Sequence, residues 1–223
     1  MQREFLLSLK RNPLGRSIYL GAKKIYESWH RIRPATADHL RSVISIEGKV
    51  TPAECDMLYR LASQVSTGSI VDIGCYRGRS TAALALGSMA GESLPVYAID
   101  PHEPFEGIQG GRFGPQDRVA FFRNMLRLGL GETVHLINVR ADLVSRVWSS
   151  PVGLVWIDGD HRYEAVKMDF ESWKPFVLEG GLIGLHDSTD VHRGPGRIVA
   201  AAVSSGRFEE VGKVDMTTIL QKV

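Results

Sequence analysis

Cysteine is nearly absent from this chain: only Cys55 and Cys75 occur. Two thiols in no metal-type spacing exclude a disulfide framework and a cysteine-held metal centre, and they fit a reducing compartment. Long apolar runs are missing too. Phe5-Leu6-Leu7 is the longest near the start, too short for the apolar region of a signal peptide. No stretch approaches the roughly 20 apolar residues that a membrane-spanning helix requires. These absences predict a soluble, cytoplasmic protein. No sign of charge dominates, since 27 Lys+Arg stand against 25 Asp+Glu. A global basic field for nucleic acid is therefore lacking.

What is present is an ordinary globular composition, 43% hydrophobic and 23% charged over 223 residues, enough to bury one good core. The charge is unevenly placed. Residues 1–40 hold eight Lys/Arg against three acids, a net of +5, which leaves −3 for the remainder. Within this arm Ile18, Ala22, Ile25 and Trp29 share one helical face over residues 17–31, and Pro34 ends the helix. The arm is expected to pack on its own domain or on a second copy, with peripheral contact to a membrane surface as the alternative. Further on, Thr51-Pro52-Ala53-Glu54 has the form of a capping box with proline at the first helical position, opening a helix through Leu61.

From Ser69 the pattern alternates. Apolar strands are predicted at 69–73, 96–99, 134–139, 153–157 and 182–185, separated by helices at 79–89, 116–128, 142–148 and 163–178. A helix at 197–204 and an antiparallel pair, 208–214 and 217–221, close the chain. Continuously apolar strands separated by helices predict a mostly parallel sheet covered on both faces. Ligands bind at the carboxyl ends of such strands. The residues there are Asp72 to Gly78, Asp100 to His102, Arg140 to Asp142, Asp158 to His161, and His186 to Ser188.

Gly74 and Gly78 flank a tight strand-to-helix turn in which Tyr76 replaces the second glycine of a dinucleotide loop, so a pyrophosphate has poor access. Asp72 suits an amino-bearing ligand better than a phosphate, and Asp100 is placed to accept ribose hydroxyls. Asp158, Asp160, His161, His186 and Asp187 follow adjacent strands, which lie about 4.8 Å apart, so their side chains converge on a common point. Carboxylates favour Mg²⁺, Mn²⁺ or Ca²⁺, and imidazole admits Mn²⁺, Fe²⁺ or Zn²⁺. Competing structural roles are Asp160 as a helix cap, His186 as a hydrogen-bonded support, Cys75 as a small buried residue and Trp156 as core. Glu164, Asp169, Glu171 and Lys174 are expected on the solvated face of their helix. The glycine- and proline-rich segment Pro101–Pro115 is expected to form a mobile lid with Phe105, Phe113 and His102 as contacts. The loop Ser188–Gly196, with His192 and Arg193, is expected to form the opposite wall.

The stretches Ile70–Thr81, Val96–Asp100, Val155–Val166 and Gly180–Ser188 together resemble class I S-adenosylmethionine-dependent methyltransferases. The likeness is to the small bacterial O-methyltransferase group related to the macrocin and catechol O-methyltransferases. The resemblance, which covers about residues 47–221, implies an α/β, Rossmann-like, doubly wound, seven-stranded and mostly parallel sheet, the domain being read as 47–223 with residues 1–46, outside the resemblance, as a basic helical N-terminal extension. It implies S-adenosylmethionine held by Asp72, Gly74, Cys75, Gly78, Ser80, Asp100 and Asp142. It also implies a divalent metal, Mg²⁺ or Mn²⁺, on Asp158, His186 and Asp187. His161 matches the base position, where an imidazole near its ordinary pKa of about 6.5 suits proton abstraction. Where better-known relatives carry an acid, this chain carries His186. The expected reaction is methyl transfer to a hydroxyl of a small molecule or glycan. Two alternatives are a metal-dependent oxygenase or hydrolase on the same sheet, and a non-catalytic cofactor-binding subunit.

Overall fold

The computed structural model describes residues 37–108 and 110–223. The helix predicted over 17–31 lies outside them. Its elements in chain order are α1 (Ala37–Ile44), α2 (Pro52–Gln64), β1 (Ser69–Ile73), α3 (Arg79–Ala90), β2 (Val96–Ile99), β3 (Phe105–Glu106), β4 (Arg112–Phe113), α4 (Pro115–Arg127), β5 (Val134–Ile137), α5 (Ala141–Ser145), β6 (Val152–Ile157), α6 (Tyr163–Trp173), β7 (Val177–Leu185), α7 (Gly194–Ser204), β8 (Phe208–Val214) and β9 (Thr217–Lys222). No helix among the described residues is long and apolar enough to cross a membrane.

Seven strands form one sheet in the order β5-β2-β1-β6-β7-β9-β8, in which β9 alone runs antiparallel to the rest. β1 and β6 are buried along their whole length, as strands covered on both faces must be. Side chains alternate between two cores. Ile70, Leu154 and Trp156 join the core that also holds the buried residues of α2 and α3. Val71, Ile73, Val155 and Ile157 face the core that holds those of α6 and α7. Trp156 is thus core, 0% exposed. The chain runs outward from β1 to β2 and β5, then returns to β6 on the other side. The strand order therefore reverses between β1 and β6, whose last residues Ile73 and Ile157 are in register. A crevice opens beyond that point.

The capping box is present as read, with Thr51 Oγ1 accepting from Glu54 N (3.2 Å) and Glu54 Oε2 accepting from Thr51 N (2.9 Å). α2 lies hard against α3, where a Cβ on Gly87 would stand 2.1 Å from the Tyr59 carbonyl oxygen. The packed body reaches back to α1, because Val43 and Ile46 are buried in the first core. The Arg79 guanidinium holds the connection behind α1, donating to the carbonyls of Ile44, Ile46 and Val50. The helix predicted through Leu178 ends at Trp173, since Val177 already pairs with Val152 at the start of a longer β7. Pro101–Pro115 is not structureless: Phe105–Glu106 and Arg112–Phe113 pair antiparallel.

Candidate active site

The turn after β1 depends on close approach. Gly74 has φ +84°, and a Cβ there would stand 2.4 Å from the Asp158 carbonyl oxygen, so glycine lets the β1 and β6 loops touch. Tyr76, His102 and Asp187, just beyond β1, β2 and β7, all hold positive φ angles (47°, 48° and 49°). Strained backbone of this kind persists where neighbours over-determine it. Asp100 supplies that determination for two of them, with one oxygen accepting from Tyr76 N (2.9 Å) and the other from His102 N (2.8 Å). Each oxygen keeps a lone pair for a ligand hydroxyl.

His102, expected as a lid contact, is buried. Its Nε2 lies 2.7 Å from the Tyr76 carbonyl, so Nε2 donates there, and Nδ1 accepts from Asn138 (3.2 Å). Cys75, Asp100 and His102 lie within metal-ligand reach of one another. That trio does not suit an ion, because both imidazole nitrogens are engaged and burial pushes the Cys75 thiol well above its ordinary range.

Two cavities open beyond the strand ends. One, of about 410 Å³, is bordered by Gly74, Asp100, Asp142, Asp158, Asp160 and Asp169. The other, of about 480 Å³, reaches Cys75, Ser80, Asp158, His161, His186 and Asp187. They share a wall made by Gly74, Tyr76, Phe105, Phe113 and Asp158 to Asp160. Both volumes fall in the range of small-molecule sites. Gly74, Asp100 and Asp142 thus border the first cavity, and Cys75 and Ser80 only the second.

Asp72 and Gly78 border neither. The Asp72 side chain turns under α3, where its Oδ2 accepts from Ser80 Oγ (2.9 Å) and Thr81 Oγ1 (2.5 Å). Burial raises its pKa to about 7. Gly78 caps α3 with φ +91°, a left-handed conformation that favours glycine, so its glycine serves the turn into the helix.

Asp142 is 7% exposed and accepts from Arg140 Nε (2.9 Å). Beside it stands a residue expected in solvent. Asp169 is 9% exposed, borders the first cavity, and has its pKa raised to about 7 by burial and then by Asp142. The periodicity held the signal, since Val166, Asp169, Phe170 and Trp173 form the buried stripe of α6. Asp160 does not cap α6 directly. It accepts from Arg162 N (3.0 Å) in the turn before the helix.

Four of the five acids and histidines predicted to converge do so, while Asp160 is held instead by the Arg162 guanidinium (2.7 Å). His161 lies between two carboxylates, with Nε2 at 3.2 Å from Asp158 and Nδ1 at 3.0 Å from Asp187. Burial opposes its charge, yet these partners outweigh it and raise the imidazole pKa to about 9. In this arrangement His161 therefore holds its proton at neutral pH, rather than titrating near the ordinary value. Asp187 is held low chiefly by His161. Asp158 is pushed up by burial, but His186 and His161 bring it below its usual range. His186 Nδ1 lies 2.9 Å from Asp158 Oδ1 without the angle of a hydrogen bond, so it is a buried polar atom with no hydrogen-bond partner. Behind it stands Glu54, which sequence reasoning placed only in a cap. It is 0% exposed, and its Oε2 faces His186 Nε2 at 3.5 Å.

The hairpin β3–β4 roofs both cavities. Arg162 pins it, donating to the Glu106 carbonyl (3.2 Å) and lying over the Phe105 ring (5.4 Å). Phe113 packs edge-on against Tyr76, with ring centroids 5.2 Å apart.

Comparison with known proteins accords with this geometry. Solved structures of similar fold include the SAH-bound methyltransferase PaMTH1 of Podospora anserina (12% identity, 90% of this chain and 94% of that one, TM-score 0.64). An O-methyltransferase from Bacillus cereus in complex with SAH also matches (17%, 84% and 92%, 0.62). So does an rRNA methylase from Streptococcus thermophilus (16%, 79% and 99%, 0.55). Such likeness shows the fold and leaves the acceptor open. The family model described as "Methyltransferase domain" matches residues 71–188, more than half of the chain, and so spans the strand-end residues from Asp72 to Ser188 but not Glu54. The chain therefore belongs to that methyltransferase domain family, in the class I fold of the S-adenosylmethionine-dependent enzymes.

Proposed function

We propose that this protein transfers the methyl group of S-adenosylmethionine to a hydroxyl of a small molecule or glycan, with the help of a divalent cation. The observation that carries the reading is the convergence of Asp158, His161, His186 and Asp187 on a cavity that shares a wall with the acid-lined cavity of Asp100. The first cavity suits the cofactor. Its carboxylates disfavour a phosphate and accept an ammonium and a sulfonium, and Asp100 stands ready for ribose hydroxyls. Asp142 and Asp169 border the end assigned to adenine. Cys75 and Ser80 line the far side of the shared wall.

The cation site is assigned to Asp158, His186 and Asp187. The fit rests on His186 Nδ1, buried without a hydrogen-bond partner beside the Asp158 carboxylate. An imidazole in a carboxylate set favours Mn²⁺ over Mg²⁺. When bound there, a divalent ion supplies Lewis-acid polarisation of a hydroxyl. The chain's own residues do the rest. Tyr76, Phe105 and Phe113 exclude water and orient the acceptor between the cavities. His161 takes the hydroxyl proton. Its present charge depends on the Asp158 and Asp187 carboxylates beside it, and a cation held by them would withdraw that support and return the imidazole toward a base.

One observation favours a second assignment at the same site. Asp158, His161 and His186 present one ligand atom each within 4.8 Å of one another, which makes His161 a third ligand instead of the base. Methyl transfer from labelled S-adenosylmethionine should vanish with chelator, return with Mn²⁺, and collapse in Asp187→Ala. Full activity in chelator would overturn the metal reading and leave the methyltransferase intact. Pulsed EPR of bound Mn²⁺ counts coordinated imidazoles: one supports His161 as base, two make it a ligand.

A further inference from the structure

The N3 acid of a capping box ordinarily reaches back over an exposed first turn, where water completes its solvation. Glu54 does not fit that description. It is 0% exposed, and a buried carboxylate is costly unless each oxygen is met. Oε2 accepts from Thr51 N at 2.9 Å. Oε1 accepts from Thr217 Oγ1 at 2.8 Å and from Met216 N at 3.2 Å. These contacts explain the cap and the seating of β9 against α2. They leave one feature without a purpose: Oε2 also faces His186 Nε2 at 3.5 Å. His186 is itself buried, and its other nitrogen emerges 2.9 Å from Asp158 Oδ1 with no hydrogen-bond partner. The two carboxylates thus stand on opposite edges of one imidazole. Asp158 is beside the cavity, whereas Glu54 sits behind the ring with its other bonds anchored to two separate elements.

We propose that Glu54 is a positioning residue for His186: it fixes the ring so that Nε2 is turned to the carboxylate behind and Nδ1 is presented beside Asp158 as a donor to the divalent cation. The proposal rests on the metal reading given above. An outer carboxylate on a ligating imidazole fixes its orientation and tautomer, and removing such a partner lowers metal affinity by about 10- to 100-fold. The anchoring explains why the carboxylate is buried. Glu54 is immobilised by Thr51, Met216 and Thr217, so it holds the ring rather than following it.

The test is Mn²⁺ titration of the full chain, read by loss of the free-ion EPR signal, with thermal unfolding measured alongside. Glu54→Gln is expected to weaken Mn²⁺ binding at least tenfold. Thr217→Val removes a bond to the same carboxylate without touching His186, and should lower the melting temperature while leaving affinity within twofold. Glu54→Gln should add little to the loss already caused by His186→Asn. If Glu54→Gln does not fold, Glu54→Asp keeps the charge but withdraws it from the ring, and the same drop is expected. Wild-type binding with unchanged affinity in the folded Glu54 variant overturns the positioning role alone. Equal losses in Glu54→Gln and Thr217→Val do the same, because they mark a merely structural effect. No Mn²⁺ binding by the wild type overturns the metal reading and the proposal together.

Discussion

Gly194 and His161 meet through their backbones: a Cβ on Gly194 would stand 2.3 Å from the His161 carbonyl oxygen and 2.8 Å from Tyr163 N. Both neighbours are main chain, so neither can swing aside as a side chain would. The first turn of α7 therefore sets where the loop after β6 runs, and with it where the His161 imidazole sits between Asp158 and Asp187. Gly194→Ala should destabilise the fold by about 1–3 kcal/mol, the usual cost of overpacking. It should also lower the methyl-transfer rate severalfold while leaving SAH affinity within a factor of two. Urea unfolding, initial rates and titration calorimetry check the three parts.

A second expectation concerns Asp100. It supports the strained Tyr76 and His102 backbones and faces the first cavity with its remaining lone pairs. Asp100→Ala removes the charge, the two amide acceptors and the ligand contacts together. Hydrogen bonds to a charged group contribute about 1.5–3 kcal/mol each, so SAH affinity should fall by roughly two orders of magnitude. Asp100→Asn keeps one acceptor oxygen and should fall in between. Calorimetry showing wild-type affinity in Asp100→Ala would remove ribose from this corner of the cavity.

The sheet was legible because its central strands are apolar throughout, and the site because strand ends in such a sheet face the ligand. Asp100, Asp158, His161, His186 and Asp187 follow from that topology alone. Asp169 was also within reach, since its spacing from Val166 and Trp173 puts it on the buried stripe of α6; a charged letter outweighed its phase. Glu54 was beyond local reading. Its cap is written in four consecutive residues, but its burial depends on Thr217, 163 positions away. The hairpin β3–β4 escaped because two-residue strands carry no period to detect.

That hairpin yields a third prediction. Arg162 binds it through the Glu106 carbonyl and the Phe105 ring, and is itself paired with Asp160 at 2.7 Å. Arg162→Ala releases the roof without touching Asp100, and it opens the second cavity more, because the hairpin borders that cavity through Gly107, Ile108, Gly110 and Gly111 as well as Phe105 and Phe113. The acceptor KM should rise several-fold, SAH affinity should stay within a factor of two, and hydrogen exchange at 105–108 should quicken. Unchanged exchange in the variant would show that the hairpin is held by other contacts.

The last prediction follows from Asp72, fully buried with Oδ1 lacking any hydrogen-bond partner. Burial lifts its pKa from 3.8 to about 7, against the pull of the Thr81 and Ser80 hydroxyls. The native chain then binds this proton more readily than the unfolded chain does. Its contribution to stability is complete below about pH 4 and is lost as pH rises through about 7. The loss amounts to a few kcal/mol, on the scale of about 1.4 kcal/mol per pH unit. Asp72→Asn holds no charge to desolvate and keeps an oxygen for Ser80 and Thr81. It should match the wild type near pH 4 and exceed it in stability at pH 8, as measured by urea unfolding across that range. A parallel wild-type decline in the variant would assign the pH dependence to other groups. The same variant locates the cofactor's ammonium. Because Asp72 borders neither cavity, SAH affinity should stay within twofold, and a tenfold drop would place the ammonium against this carboxylate after all.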